Sequence, residues 1–414
     1  MFLNKNNKNF VFNEGYSNKK NLFKSALGSK IFYKGSKYID LSLGAGSLIL
    51  GHNSSIYKYA IKNLTKKNIS SLAAPNQQAA DFAEVINKIF PQYSKFIFCN
   101  SGTEAVFKSL RICNAISKKR MVIAVTGSWH GSVNQLLFSA DKKLKPVSLS
   151  DGLLKEDKQN IKFIPYNNIK ISKKILEKYK SKISCIIIEP IQGCLPLYNA
   201  KEYLKFLCEF SKKNKILIIF DEMITGLRVD GKSVQSYFNL RPDISTFGKC
   251  FGGGMPIGII GISKKTENLI EKNKKKIFFG GTFSGNSISS YVGMLTTKYI
   301  IKNKNKIFPE LEKKSIFFQS KLNTFIKKNN INAYVYRFKS ILRIVFTRKK
   351  VSNRIQRDFL ELKNLKNINK LRNFLFKNKV YYPSSGIIFM SECTTKSDLE
   401  ILIKLFKKGL NKFF

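Results

Sequence analysis

Five short apolar runs constrain this chain most: KFIFCN (95–100), RMVIAV (120–125), CIIIEP (185–190), ILIIFDE (216–222) and IGIIGIS (257–263). Each is rich in β-branched or aromatic residues and is bounded by turn or polar residues, so each reads as a buried strand. Longer amphipathic segments lie between them, with residues 103–115 and 203–214 reading as helices. Strands alternating with helices predict an α/β fold built on a mainly parallel sheet that is covered on both faces. Ligands in such folds gather beyond the carboxyl ends of the strands. That is where residues 100–104, 189–192, Asp221 and Glu222 fall. Packing alone does not require polar residues at every strand exit.

The pattern changes from about Lys302. LRIVFT (342–347) and GIIFMSE (386–392) read as strands between basic helical segments, which predicts a smaller α+β unit. Near the N-terminus, KIFYKGSKYIDLS reads as a hairpin turning through Lys34-Gly35-Ser36 and packing against that unit. The expected division is 1–50 as the N-terminal part of a small domain, 51–301 as a large domain, and 302–414 as the remainder of the small one.

Composition narrows the function classes. With 414 residues, 43% of them hydrophobic, the chain can bury a large core. No apolar run approaches the roughly 20 residues of a membrane span, and the start MFLNKNNKNF does not read as a signal peptide. The expected location is the cytoplasm. Seven scattered cysteines with no CxxC pair, and only two histidines, argue against both a disulfide framework and a metal site. A formal charge of +48 invites a nucleic-acid reading. The lysines, however, are spread over the whole chain among Asn and Ile, and no nucleic-acid motif accompanies them.

Four stretches carry chemistry. NSGTEA (100–105) stands at a strand-to-helix turn, where Ser101, Gly102 and Thr103 suit a phosphate; a plain capping box through Ser101 and Glu104 is the other reading. IIFDE (218–222) ends an apolar strand in two carboxylates. A buried Asp221 there needs a cationic partner such as a protonated pyridine nitrogen, unless the strand end is solvated. In STFGKCFGGGMPIGIIG (245–261), Lys249 is flanked by Phe247, Cys250 and Phe251 and then three glycines. Such surroundings admit a planar ligand and favour a nucleophilic amine; the glycines lack P-loop spacing. GSWHG (127–131) holds the only tryptophan, Trp129, placed either to stack on a flat ligand or to fill the core.

Taken in order with GSKYIDLSLGAGSLILGH (35–52) and GTFSGN (281–286), these stretches resemble the class III aminotransferases, pyridoxal-5′-phosphate (PLP) enzymes of fold type I. FDEMITGLRV (220–229) and PDISTFGKCFGGGMPIG (242–258) are most similar to the glutamate-1-semialdehyde 2,1-aminomutase branch. The resemblance implies PLP as cofactor, amino-group transfer on a small amino or carbonyl substrate, and a homodimer. It implies that Lys249 forms the Schiff base and relays protons, and that Asp221 pairs with the pyridinium nitrogen. Ser101, Gly102 and Thr103 are then expected to hold the phosphate, with Thr282 reaching in from the neighbouring subunit. Trp129 and Met223 are expected on the two ring faces, Gln192 at the ring hydroxyl, and Glu189 as support behind them.

Departures from the mutase pattern cluster on the substrate side. The arginine-bearing N-terminal stretch is replaced by EGYSNKKNLF (14–23), Ala45 stands where tryptophan is usual, and Ser287 replaces a proline. EPIQG (189–193) resembles ordinary class III aminotransferases, and the glutamate before the last strand is missing. These changes leave an intermolecular aminotransferase as the alternative reaction. A basic binding protein without catalysis is the alternative of another class. Arg343 is a candidate anion clamp, or else a surface arginine. Residues 139–165 are a candidate lid.

Overall fold

A computed structural model describes residues 21–414. Strands β1 (Ser25–Leu27), β2 (Lys30–Tyr33) and β3 (Ser36–Asp40) open the described chain. Then follow β4 (Tyr93–Cys99), β5 (Met121–Val125), β6 (Phe138–Ala140), β7 (Pro146–Ser148) and β8 (Ile161–Ile164). Next come β9 (Ile183–Ile188), β10 (Leu217–Asp221), β11 (Ile244–Gly248) and β12 (Gly258–Ser263). The last four are β13 (Tyr334–Phe338), β14 (Ile341–Val345), β15 (Val380–Tyr381) and β16 (Ile387–Phe389).

The main sheet has seven strands in the order β4-β12-β11-β10-β9-β5-β8. All pairs from β11 to β8 are parallel, and β12 alone runs against its two neighbours. Every residue of β9, β10 and β11 is buried, as expected for strands covered on both faces. The fold class expected from the alternating runs is therefore the one observed. Because β4, β5, β9, β10 and β11 point the same way, their carboxyl ends meet at one edge. Gly258 brings the start of β12 to that edge, opposite Cys99 and Gly248.

The chain's two ends meet in a second layer. β3 pairs in parallel with β15, so the N-terminal strands and residues 380–381 share a four-stranded sheet. The expected hairpin joins β2 to β3 across Tyr33↔Ser36. Lys34 and Gly35 carry its positive φ values of 47° and 74°, the two-residue turn that matches strand twist. A three-stranded sheet, β13-β14-β16, completes the C-terminal region.

Arg228 ties these layers together. It is fully buried and donates to the carbonyls of Gly46 (2.7 Å) and Met390 (3.3 Å) and to Ser340 Oγ (3.1 Å), with its guanidinium over the Phe389 ring. No carboxylate faces it among the described residues; carbonyl dipoles and an aromatic face carry the charge.

Part of the expected lid proves to be sheet. β8 is the edge strand beside β5, so residues 161–164 cannot open. β6 and β7 form a two-stranded hairpin, whose Lys142 ammonium lies 3.9 Å over the Phe359 ring. The helical boundaries shift only slightly: residues 103–115 fall within the helix Gly102–Ser117, and 203–214 within or one residue beyond Lys201–Lys213.

Candidate active site

Lys249 follows β11 directly and has φ 44°, a left-handed value uncommon for a residue with a side chain. It is set there by the tight turn Lys249–Gly252 and by Gly248, whose missing side chain leaves room for Met223: a β-carbon would lie 2.8 Å from Met223 Sδ. Burial, above all, holds the Lys249 amine below the ordinary lysine range, against the opposing pull of Asp221 and Glu189.

Asp221 closes β10 and is almost wholly buried. Its Oδ2 lies 2.7 Å from His130 Nδ1. Its Oδ1 accepts from Thr246 Oγ1 (3.1 Å) and from the Met223 amide (3.2 Å). Thr246 is Asp221's partner in the parallel register, so the sheet itself delivers that hydroxyl. With two donors on Oδ1 and His130 on Oδ2, Oδ2 keeps a site for one further donor. The strand-end solvation reading of Asp221 thus fails. Its neighbour Glu222 turns the other way, accepting from Thr225 Oγ1 and the Val234 and Gln235 amides, and so holds a loop rather than the site.

Gln192 is buried, donates from Nε2 to the Thr126 carbonyl (2.8 Å), and leaves its Oε1 without a partner. Glu189 accepts from the Trp129 amide (2.8 Å). Burial first, and then the charge of Asp221, push its carboxyl above the usual range. Trp129 itself is 53% exposed, which removes the core reading and presents the indole to the open side of the edge.

The turn after β4 supports both readings given to NSGTEA. Ser101 caps the helix Gly102–Ser117, accepting from the Glu104 amide (3.1 Å). Glu104 reaches back one residue farther than a capping box requires, to the Asn100 amide (2.7 Å). The first amides of the helix, at Gly102 and Thr103, have no intrahelical acceptor and aim at the same edge. Thr103 Oγ1 also accepts from the Ser132 amide (3.2 Å). Gly258 permits this approach: a β-carbon there would sit 2.1 Å from the Ser101 carbonyl. A cleft of about 340 Å³ opens over Ser101, Thr103 and Ser132.

Ser101, Gly102, Thr103, Trp129, Gln192, Asp221, Met223 and Lys249 thus meet at one sheet edge. Thr282 does not join them. It lies exposed on a turn held to the same helix by Lys108 Nζ, which donates to Ser284 Oγ (3.2 Å), and by Ser284 Oγ, which donates to Glu104 Oε1 (3.3 Å). Arg343 is neither a surface arginine nor a free clamp. It is buried, donates to Glu361 Oε2 (3.1 Å) and to the Ser385 carbonyl, and so is already neutralised. Residues 14–20 of the altered N-terminal stretch lie outside the described residues. A cavity of about 810 Å³ lined by Lys201, Arg241 and Asp243 holds none of the site residues. His130 and Thr246 were not anticipated. His130 sits inside GSWHG, and Thr246 shares a sheet face with its register partner Asp221.

Solved structures share this architecture. The chain superimposes on an omega-transaminase from Sphaerobacter thermophilus with a TM-score of 0.86 at 20% identity, covering 94% of this chain and 90% of that one. A glutamate-1-semialdehyde-aminomutase from Pseudomonas aeruginosa, in complex with PMP, gives 0.85 at 18% identity, covering 95% and 88%. The fold is therefore the one these transaminases share. The model of the family "Aminotransferase class-III" matches residues 12–360, and the chain belongs to that family. A glutamate-1-semialdehyde 2,1-aminomutase of Methanosphaera stadtmanae is 32% identical over 396 residues, 94% of this chain and 92% of that protein. One of Thermodesulfovibrio yellowstonii is 34% identical over 330 residues, 79% and 76%.

Proposed function

We propose that this chain is a PLP-dependent enzyme of amino-group transfer, similar in its chemistry to the glutamate-1-semialdehyde 2,1-aminomutases. One observation carries the reading: an amine held below its ordinary pKa, a buried carboxylate with acceptor capacity left, an unpartnered buried amide oxygen and a helix N-terminus all face one sheet edge. These donors and acceptors fit the groups of PLP, namely an aldehyde, a ring nitrogen that carries a proton, a ring hydroxyl and a phosphate.

When bound, PLP supplies an electron sink for charge developing beside the transferred nitrogen. The protein's part is orientation and proton placement. Asp221 Oδ2 holds the ring-nitrogen proton, and His130 Nδ1 and Thr246 Oγ1 fix the carboxylate so that it cannot rotate away. Gln192 Oε1 accepts from the ring hydroxyl, and the Gly102 and Thr103 amides take the phosphate. Lys249 Nζ would hold the cofactor's aldehyde carbon, and its amine would serve as the base and acid that moves a proton at the substrate. Trp129 covers one ring face and Met223 backs the other.

Thr282 completes the phosphate seat from the neighbouring subunit of a homodimer. Phe107, Phe278 and Phe283, all exposed near its turn, support such a covered face. The division at 1–50, 51–301 and 302–414 accords with β15 pairing to β3. An intermolecular aminotransferase is the second reading, favoured by the ion pair that occupies Arg343. Separate mixing of the PLP-loaded protein with 4,5-diaminovalerate, glutamate and alanine decides between them. Selective reaction with the diamine supports the mutase, and reaction with glutamate or alanine supports the transaminase.

A further inference from the structure

The helix Arg354–Glu361 crosses the hydroxyl side of the site, and three of its polar residues are tied down there. Arg357 donates to the Cys194 carbonyl and pairs with Asp358 and with Glu361 (3.5 Å). Glu361 in turn holds Arg343. Arg354 is anchored differently. Its Nε donates to Asp358 Oδ2 (3.2 Å) and its Nη1 to the Gly127 carbonyl (3.1 Å), one residue from Ser128 and two from Trp129.

Gly127 fixes how close this is to the cofactor seat. A β-carbon there would meet Arg354 Cβ at 2.6 Å and the unpartnered Gln192 Oε1 at 2.7 Å. The arginine stem and the oxygen assigned to the ring hydroxyl therefore flank a single point. Gly127 has φ 90°, so a side chain is excluded there on conformational grounds as well. A guanidinium has five N–H groups. Two are used, and three, both on Nη2 and one on Nη1, bond to nothing among the described residues. The side chain is 33% exposed, open enough to be reached. Arg343 and Arg357 lack that freedom. Around them four guanidiniums (Arg343, Arg354, Arg357, Arg372) meet three carboxylates, Asp358 and Glu361 in ion pairs and Glu189 whose charge bears on Arg354, so one positive charge is left over.

We propose that Arg354 is the specificity-determining residue for a carboxylate on the substrate, gripping it on the hydroxyl side of the cofactor. The inference rests on the amino-transfer reading above and assigns the carboxylate grip to a residue of the helix Arg354–Glu361. A planar carboxylate can take the free N–H groups of Nη1 and Nη2 side by side, a geometry that a lysine ammonium cannot reproduce. The grip is made equally before and during the chemistry, so its loss appears in KM rather than in kcat.

The test uses the PLP-loaded protein as wild type, Arg354→Met and Arg354→Lys. Glutamate and isopropylamine, which lacks a carboxylate, are compared as amino donors by bleaching of the cofactor band, and glutarate binding is measured by calorimetry. Arg354→Met is expected to raise KM for glutamate about 10- to 100-fold more than for isopropylamine, the range of a charge-assisted hydrogen bond. Glutarate affinity should fall at least about tenfold alongside it, and Arg354→Lys should recover part of both. Equal losses for the two amines, or no change in either, overturn the inference while the amino-transfer reading stands. So does a wild type that shows the band but neither binds glutarate nor prefers glutamate. A wild type without any Lys249-dependent band overturns the reading beneath it, and this inference with it.

Discussion

The two sides of the site are built by different physics. On the sheet edge, positions follow from register: Asp221 stands opposite Thr246, Lys249 is the residue after β11, and Gly258 lies against the Ser101 carbonyl. Across from it, on the helix Arg354–Glu361 and strand β14, positions follow from a network of arginines and acids. A sheet edge allows little drift, because moving one residue moves a whole strand. An ion-pair network can be rearranged by a single substitution.

The strongest way to break this contrast is Asp221→Asn. It keeps the shape of the edge but removes the charge that holds the ring proton, and should lower the rate of amino transfer by about 10²- to 10³-fold, read from single-turnover kinetics. Glu361→Ala attacks the opposite side. It leaves the buried Arg343 without a carboxylate and should destabilise the protein by about 3–5 kcal/mol in denaturant unfolding. A loss there as small as that of an exposed pair would mean that the network is not the scaffold described.

Gly258→Ala tests the register directly. Its methyl cannot share space with the Ser101 carbonyl, so about 1–3 kcal/mol of stability should be lost, together with affinity for inorganic phosphate. His130→Phe should slow transfer about tenfold through a loosened Asp221, with the fold intact by circular dichroism.

The smallest effect concerns pH. The Lys249 amine is depressed in the folded chain, so the folded state binds fewer protons there than the unfolded one. Its contribution to stability therefore rises with pH between the folded and the ordinary lysine values. Capture of PLP by the apoprotein should have its midpoint below the ordinary lysine pKa. Asp221→Asn, which removes a charge that raises the amine's pKa, should move that midpoint lower still.

The same contrast explains what could be read from the sequence. The apolar runs and their polar exits placed Ser101, Gln192 and Asp221 together, because a parallel sheet sends its strand ends one way. β11 was harder to see: ISTFG alternates small polar and apolar residues, and it is a strand because β10 and β12 pair with it on both sides. β8 looked like part of a lid because its run, IKFI, is only four residues long and follows a polar stretch. Arg343 and Arg354 could not be told apart at all. Which arginine is neutralised depends on where Glu361 points, a tertiary fact with no local signal. The role proposed for Thr282 rests on family likeness alone, since a reach into a neighbouring chain would leave no local signal in the sequence.

The most direct test of the central claim is an absorbance spectrum of the purified protein with PLP, recorded beside Lys249→Ala. A band near the edge of the visible that is present in the wild type, bleaches with an amino donor and is missing in Lys249→Ala is the result predicted here. A wild type that stays colourless, or a band that survives in Lys249→Ala unchanged, would contradict the account.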